Sequence, residues 1–175
     1  MLLGLVGKPS VGKSTFFKAC TLANVAIAAY PFTTLEANLG VMEIGTRKKR
    51  LVLADIPGLI EGASAGRGLG DLFLKHIERT AVIVHLIDLS QLQQGGSLVL
   101  WDIYQTIRNE LKSYSGELAK KREIIVLTKA DLVDGETIKK AQAEFSAHRK
   151  KTFVISAQTG RGLEELKAEL TATSN

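Results

Sequence analysis

The sequence predicts a three-layer α/β fold, with a six-stranded, mostly parallel sheet, one antiparallel edge strand and helices on both faces. Three observations predict it. Apolar runs of strand length alternate with amphipathic stretches; a glycine-bearing turn follows the first run and opens a helical stretch; and a short basic turn, IGTRKKR, joins two successive strand patterns. That turn is too short for a helical crossover, so the two strands it joins should be antiparallel and lie at an edge.

Taken in order, strands are expected over residues 2–6, 37–44, 50–55, 81–88, 123–128 and 152–156. Helices are expected over 13–22, 70–78, 98–113, 136–147 and 162–170. In the third helix Leu100, Ile103, Tyr104, Ile107 and Leu111 recur at helical spacing and form its buried stripe. Trp101 and Tyr104 are therefore packing residues, not a stacking platform for bases. His76 and His85 read as packing or surface residues, since no second ligand stands at a telling spacing. Two segments, 24–35 and 57–69, fit neither period, and the stretch GLIEGASAGRGLG carries five glycines. Long glycine-rich loops inside a compact domain are usually functional.

Bulk properties bound the rest. A chain of 175 residues can bury one core, so residues 1–175 are expected to form a single domain. Apolar residues at 45% and charged residues at 23% exclude disorder and fibrous classes. Cys20 is the single cysteine, sits in an apolar helical pattern and fits a reducing compartment. The opening MLLGLVG reads as a strand, not a secretion signal, and LANVAIAA is stopped by Tyr30 and Pro31. A soluble, cytoplasmic, monomeric protein without membrane contact is expected. The net charge is +5, gathered in RKKR, KKRE and HRKK. Solvated surface turns explain such runs; a polyanion such as ribosomal RNA, held through salt-sensitive phosphate contacts, is the other reading.

The chemistry is concentrated in four places. Gly7, Lys8, Pro9, Ser10, Val11, Gly12, Lys13 and Ser14 read GKPSVGKS, the GxxxxGK[ST] pattern, in the strand-to-helix context that makes it specific. The amides around Val11 to Thr15 then point at phosphate from a helix N-terminus. Lys13 reaches the β- and γ-phosphates, and the Ser14 hydroxyl ligates Mg2+. This makes the fold that of a P-loop NTPase. Thr128, Lys129 and Asp131 form TKAD at the end of a strand. The Asp131 carboxylate can accept from guanine N1 and its amine, donors that adenine lacks, and unpaired buried groups make such discrimination large. Lys129 lies along the base plane. Asparagine is more common where Thr128 stands. Ser156, Ala157 and Gln158 follow the last strand and bring a backbone amide to the guanine carbonyl. Together these select a Ras-like G domain binding GTP and GDP. Asp55 in DIPG holds the ion through water, as expected for Mg2+, and the Gly58 amide touches the γ-phosphate. Phe32, Thr33 and Thr34 lie in the first irregular loop, and Thr34 is favoured to complete the ion's shell. Lys13, Thr34 and Gly58 are the residues expected to act in hydrolysis. Both loops are held through the γ-phosphate, so its loss releases them.

The segments YPFTTLEANLGV, DIPGLIEGASAGRGLG and HIERT resemble the Obg family of GTPases over nearly the whole chain. The resemblance implies phosphate contacts from residues 7–15, Mg2+ on Ser14 and Thr34, guanine contacts from Lys129, Asp131 and 156–158, and a part in ribosome assembly. YchF- and Drg-type GTPases share YPFTT-like loops and are the neighbouring alternative. The flanking domains usual in the family are absent from 1–175. Leu59 stands where the glutamine that follows DxxG commonly orients water, so intrinsic hydrolysis should be slow, and a nucleotide-sensing module with incidental hydrolysis is the competing class. Ser10 replaces the asparagine that some relatives use beside a monovalent cation. Arg67 reads as a mobile surface residue. A nucleotide-independent RNA binder working through RKKR is a third class.

Overall fold

The computed structural model describes residues 1–21, 26–29, 36–44, 49–55, 78–93 and 100–173. The strands are β1 (Leu2–Val6), β2 (Ala26–Ala29), β3 (Glu36–Ile44), β4 (Lys49–Asp55), β5 (Val82–Asp88), β6 (Arg122–Thr128) and β7 (Thr152–Val154). They join one sheet in the order β2-β3-β4-β1-β5-β6-β7. β1 runs parallel to β4 and β5, and β6 parallel to β5 and β7, whereas β3 is antiparallel to both β4 and β2.

All the expected strands are present and the sheet is mixed, as the basic turn between β3 and β4 required. The short strand β2 is additional and falls inside a segment that shows no strand period. Its residues, AIAA, are too few and too uniform to alternate; pairing of Ala26 with Leu39 on the open edge of β3 makes it a strand. β7 stops at Val154, earlier than expected, because residues 155–162 turn back on themselves.

The helices are α1 (Lys13–Cys20), α2 (Leu100–Tyr114), α3 (Gly116–Lys120), α4 (Gly135–Ala147) and α5 (Leu163–Thr173). The expected helix over 70–78 lies outside the described residues, except Glu78, which is in a turn. α3 was not expected; the Ser115 hydroxyl accepts from the Leu118 amide and starts it. α4 starts in the same way, the Asp134 side chain accepting from the Thr137 amide.

The two apolar faces of the sheet are buried separately. Phe16, Phe17 and Cys20 of α1 join Leu163, Leu166 and Leu170 of α5 over β1, β3 and β4. On the other face Leu100, Ile103 and Tyr104 of the α2 stripe pack with Ile138, Ala141 and Phe145 of α4 over β5 and β6, and Ile107 and Leu111 are buried as well. Each buried Phe or Leu contributes about 1.5–3 kcal/mol relative to exposure. Tyr104 is 2% exposed, and Trp101 packs edge-on against Phe145 at 5.7 Å, so both are packing residues as expected. Burial pushes the Cys20 thiol up to about 12, which makes it an inert core group. Much of the basic surface is paired: Arg50 meets Glu43, Lys120 meets Glu117, and Arg122 and Lys151 share Glu169.

Parallel pairing carries the C-terminal ends of β1, β4, β5 and β6 to one edge of the sheet. In open α/β sheets this edge is where ligands bind.

Candidate functional site

β1 is apolar to Val6 and then must turn. A Cβ on Gly7 would sit 2.7 Å from the Leu86 carbonyl oxygen, so only glycine lets the loop pass this close to β5. Gly12 has φ +99 and caps α1 with no side-chain bond. The first amides of α1 have no partner inside the helix and face the loop. Ser10 also lies in the left-handed region, at φ +63. The Lys13 ammonium folds over this loop and donates to the Gly7 carbonyl at 2.8 Å and the Lys8 carbonyl at 3.3 Å. Ser10, Gly12, Lys13, Ser14 and Thr15, with Lys129, line a cleft of about 380 Å³.

A second cleft, of about 210 Å³, adjoins it and is lined by Val11, Thr128, Lys129, Asp131, Ala157 and Gln158 among others. Gly12, Thr15 and Lys129 border both. Thr128 is 4% exposed, and its hydroxyl lies 2.8 Å from the Val11 carbonyl oxygen and 3.2 Å from that of Ile87. One hydroxyl hydrogen thus ties the end of β6 to the phosphate loop, with β5 as the longer alternative. Lys129 has φ +59, uncommon for a residue with a side chain. Its ammonium lies 2.6 Å from Asp88 Oδ2, while Asp88 Oδ1 accepts from the Ser90 amide at 2.8 Å and the Ser90 hydroxyl at 2.6 Å. Asp131 is exposed at the cleft mouth.

The loop after β7 is stitched by its own backbone. The Ser156 amide donates to Arg161 O, the Gly160 amide to Ser156 O, and the Thr159 amide to Ser156 Oγ. Ser156 is fully buried, and the turn presents Ala157 and Gln158 to the cleft.

Asp55 ends β4, and its Oδ1 is buried with no hydrogen-bond partner among the described residues. Burial raises the pKa of this carboxyl above the ordinary carboxylate value, with Lys13 opposing that shift. A buried carboxylate oxygen with no donor suits a cation, so the residues present fit Mg2+.

The structure therefore brings together the phosphate loop, TKAD and the 156–158 turn, over sequence separations that no local pattern spans. Gly7 and Lys8 take part through carbonyls, and Pro9 is exposed and lines neither cleft. Phe32, Thr33, Thr34 and Gly58 lie outside the described residues. Asp88, Ser90 and Leu132 were missed. The available signal was a lone carboxylate ending an otherwise uncharged strand, VIVHLID; Leu132, 53% exposed beside the cleft, carried no signal in the sequence.

Comparison with known proteins decides the family. Residues 2–129 match the family model described as 50S ribosome-binding GTPase. GTPase Obg of Syntrophotalea carbinolica is 47% identical over 169 residues, 96% of this chain and 46% of that protein. The chain belongs to the Obg family of GTPases. GTPase Obg of Fervidobacterium nodosum is 50% identical over 94% of this chain and 37% of its own length. The chain thus spans less than half the length of these Obg relatives. Among solved structures, the G domain of the T. maritima FeoB iron transporter superposes with a TM-score of 0.68 at 23% identity, covering 100% of this chain and 99% of that one. A GDP-bound variant of NFeoB from S. thermophilus gives 0.69 at 22% identity, over 99% of this chain and 63% of that one. These likenesses establish the fold, a P-loop GTPase G domain, for this Obg-family chain.

Proposed function

We propose that residues 1–175 act as one guanine-nucleotide switch that binds GTP and GDP and hydrolyses GTP slowly. The observation that carries this reading is a pair of adjoining clefts with Lys129 as their common wall: one lined by loop and helix N-terminus, the other by Asp131 and the 156–158 turn. The first suits phosphate, since amides and an ammonium group converge there. The second suits a purine, and an exposed carboxylate at its mouth favours a base that presents two donors.

Ser14, Thr34 and Asp55 would hold Mg2+, which when bound offsets phosphate charge. The chain's own residues do the rest. Lys13 turns from its loop carbonyls toward the β- and γ-phosphates, the α1 amides hold the phosphate oxygens, and Asp131 accepts from the base. Leu59 has no group to orient an attacking water, so turnover is slow and open to acceleration by a docked partner. Such acceleration can reach roughly 10³ to 10⁵ when a charge is supplied. The family description, 50S ribosome-binding GTPase, supports the large ribosomal subunit, or its RNA, as that partner; a cytoplasmic location and a monomeric domain are part of the same proposal. Among the described residues no helix is long and apolar enough to cross a membrane. Leu59 also favours a second reading, a sensor of bound nucleotide whose hydrolysis is incidental.

Titration calorimetry with saturating Mg2+ tests the central claim: GTP and GDP should bind well ahead of ATP, and equal affinities would end it. Lys13→Ala should remove measurable nucleotide binding. Asp131→Asn should move preference from guanine toward xanthine nucleotides. Single-turnover hydrolysis with and without ribosomal subunits separates the two readings, since a rate indifferent to subunits leaves the sensor.

A further inference from the structure

Asp88 has no part in the function proposed above, yet its side chain is only 6% exposed and touches Lys129, one of the three residues that border both clefts. Its two oxygens are divided between two tasks. Oδ1 is held by the amide and hydroxyl of Ser90, just past the strand end, so the carboxylate cannot rotate freely. Oδ2 faces the Lys129 ammonium at 2.6 Å. The parallel register sets Asp88 beside Thr128, which brings the carboxylate to the residue that follows.

A lysine side chain is long and loses much rotamer freedom when fixed. With its head held, the Lys129 stem is ordered before any ligand arrives, and less freedom remains to be lost on binding. With the head released, the ammonium has a second attraction close by, the phosphate cleft that Lys129 also lines. A lysine drawn there would vacate the base wall.

We propose that Asp88, oriented by Ser90, is a positioning residue for guanine-nucleotide binding: it anchors the Lys129 ammonium so that the stem forms the wall of the base cleft. The inference rests on the reading of Lys129 as that wall.

The test is a double-variant cycle on the chain described here, read with a fluorescent GDP analogue and stopped flow. Asp88→Asn should weaken binding about tenfold, the size of one charge-assisted hydrogen bond, and through faster dissociation. Inorganic pyrophosphate, which has no base, should bind this variant no more weakly than the native chain. In a Lys129→Met background, which keeps the stem and removes the ammonium, the Asp88→Asn penalty should vanish. Persistence of the full penalty there would overturn the proposal, as would a matching loss of pyrophosphate affinity. Should Asp88→Asn fail to fold, Ser90→Ala takes its place in the same cycle, with a loss of about threefold that also disappears with Lys129→Met. If Lys129→Ala, which removes the stem as well, leaves the GDP analogue bound as tightly as before, the reading of Lys129 as base wall fails and the Asp88 proposal falls with it. If Lys129→Met weakens binding but shows no coupling to Asp88→Asn, only the Asp88 proposal fails.

Discussion

β5 carries two polar clusters three residues apart, and they differ in almost every physical respect. Asp88, at the strand end, joins Ser90 and Lys129 beside the clefts, both of which Lys129 lines. His85, mid-strand, is fully buried with Glu123, Tyr104 and Arg108 under α2. There Glu123 Oε1 accepts from His85 Nδ1 at 3.0 Å and Oε2 from the Tyr104 hydroxyl at 2.8 Å, with Arg108 at 3.7 Å. A carboxylate can only accept, so Nδ1 carries the hydrogen; Nε2 is left buried without a partner among the described residues. Burial works against ionised Glu123, but His85, Arg108 and Tyr104 outweigh it and hold its carboxyl below the ordinary value. Burial, followed by the adjacent Glu123 charge, pushes the Tyr104 phenol well up. The comparison teaches that the same strand uses charge for binding at its end and for joining layers in its middle. Changes in the two places should therefore separate affinity from stability.

The largest effect should come from Glu123→Ala. It leaves His85 and Arg108 facing a cavity, and breaking a buried pair in this way costs about 3–5 kcal/mol, seen as a lower urea midpoint. Nucleotide affinity of the fraction that stays folded should be unchanged; a tenfold loss of affinity would erase the distinction between the clusters. Next is Thr128→Val, of nearly the same shape, which leaves the Val11 carbonyl without its hydroxyl donor. It should cost about 1–3 kcal/mol. Because Val11 belongs to the phosphate loop, GDP affinity should fall too, which marks Thr128 as part of the binding cluster. An unchanged affinity would move it to the structural one. Tyr104→Phe removes one donor from Glu123 and keeps the ring, so about 1 kcal/mol of stability and no affinity should be lost.

The smallest effect near neutrality is the pH dependence. Glu123 has a depressed native pKa, so its contribution is complete above the ordinary carboxylate value and is lost as pH falls through the native one. Chemical denaturation from about pH 5 to about pH 3 should show the native chain losing stability more steeply than Glu123→Gln. Equal slopes would mean that the carboxylate is not held by its neighbours.

Several elements were legible because their signals are local. The phosphate loop is a contiguous octet bounded by a strand and a helix, and its glycines are demanded by φ +99 at Gly12 and the close pass of Gly7 under Leu86. The α2 stripe is a repeat within one helix, and all its expected members are buried. β2 and α3 were not legible, because four small residues show no period and a five-residue helix is started by one serine hydroxyl. Asp88 was not legible either, since a carboxylate at a strand end reads equally as a turn residue until its neighbour strand is known.

By itself, then, the sequence determined the alternation of strands and helices, the phosphate loop and the chemical types available to hold a guanine nucleotide. Those depend on the spacing of residues within single elements. Only the tertiary structure decided that Thr128 reaches Val11 across 117 positions, that Lys129 is anchored by Asp88, and that His85 is sealed against Glu123. These contacts follow from the parallel register of β5 and β6 and from helix packing over them. Register is a relation between distant segments, satisfied by burying both faces of the sheet together, and no short stretch of residues carries it.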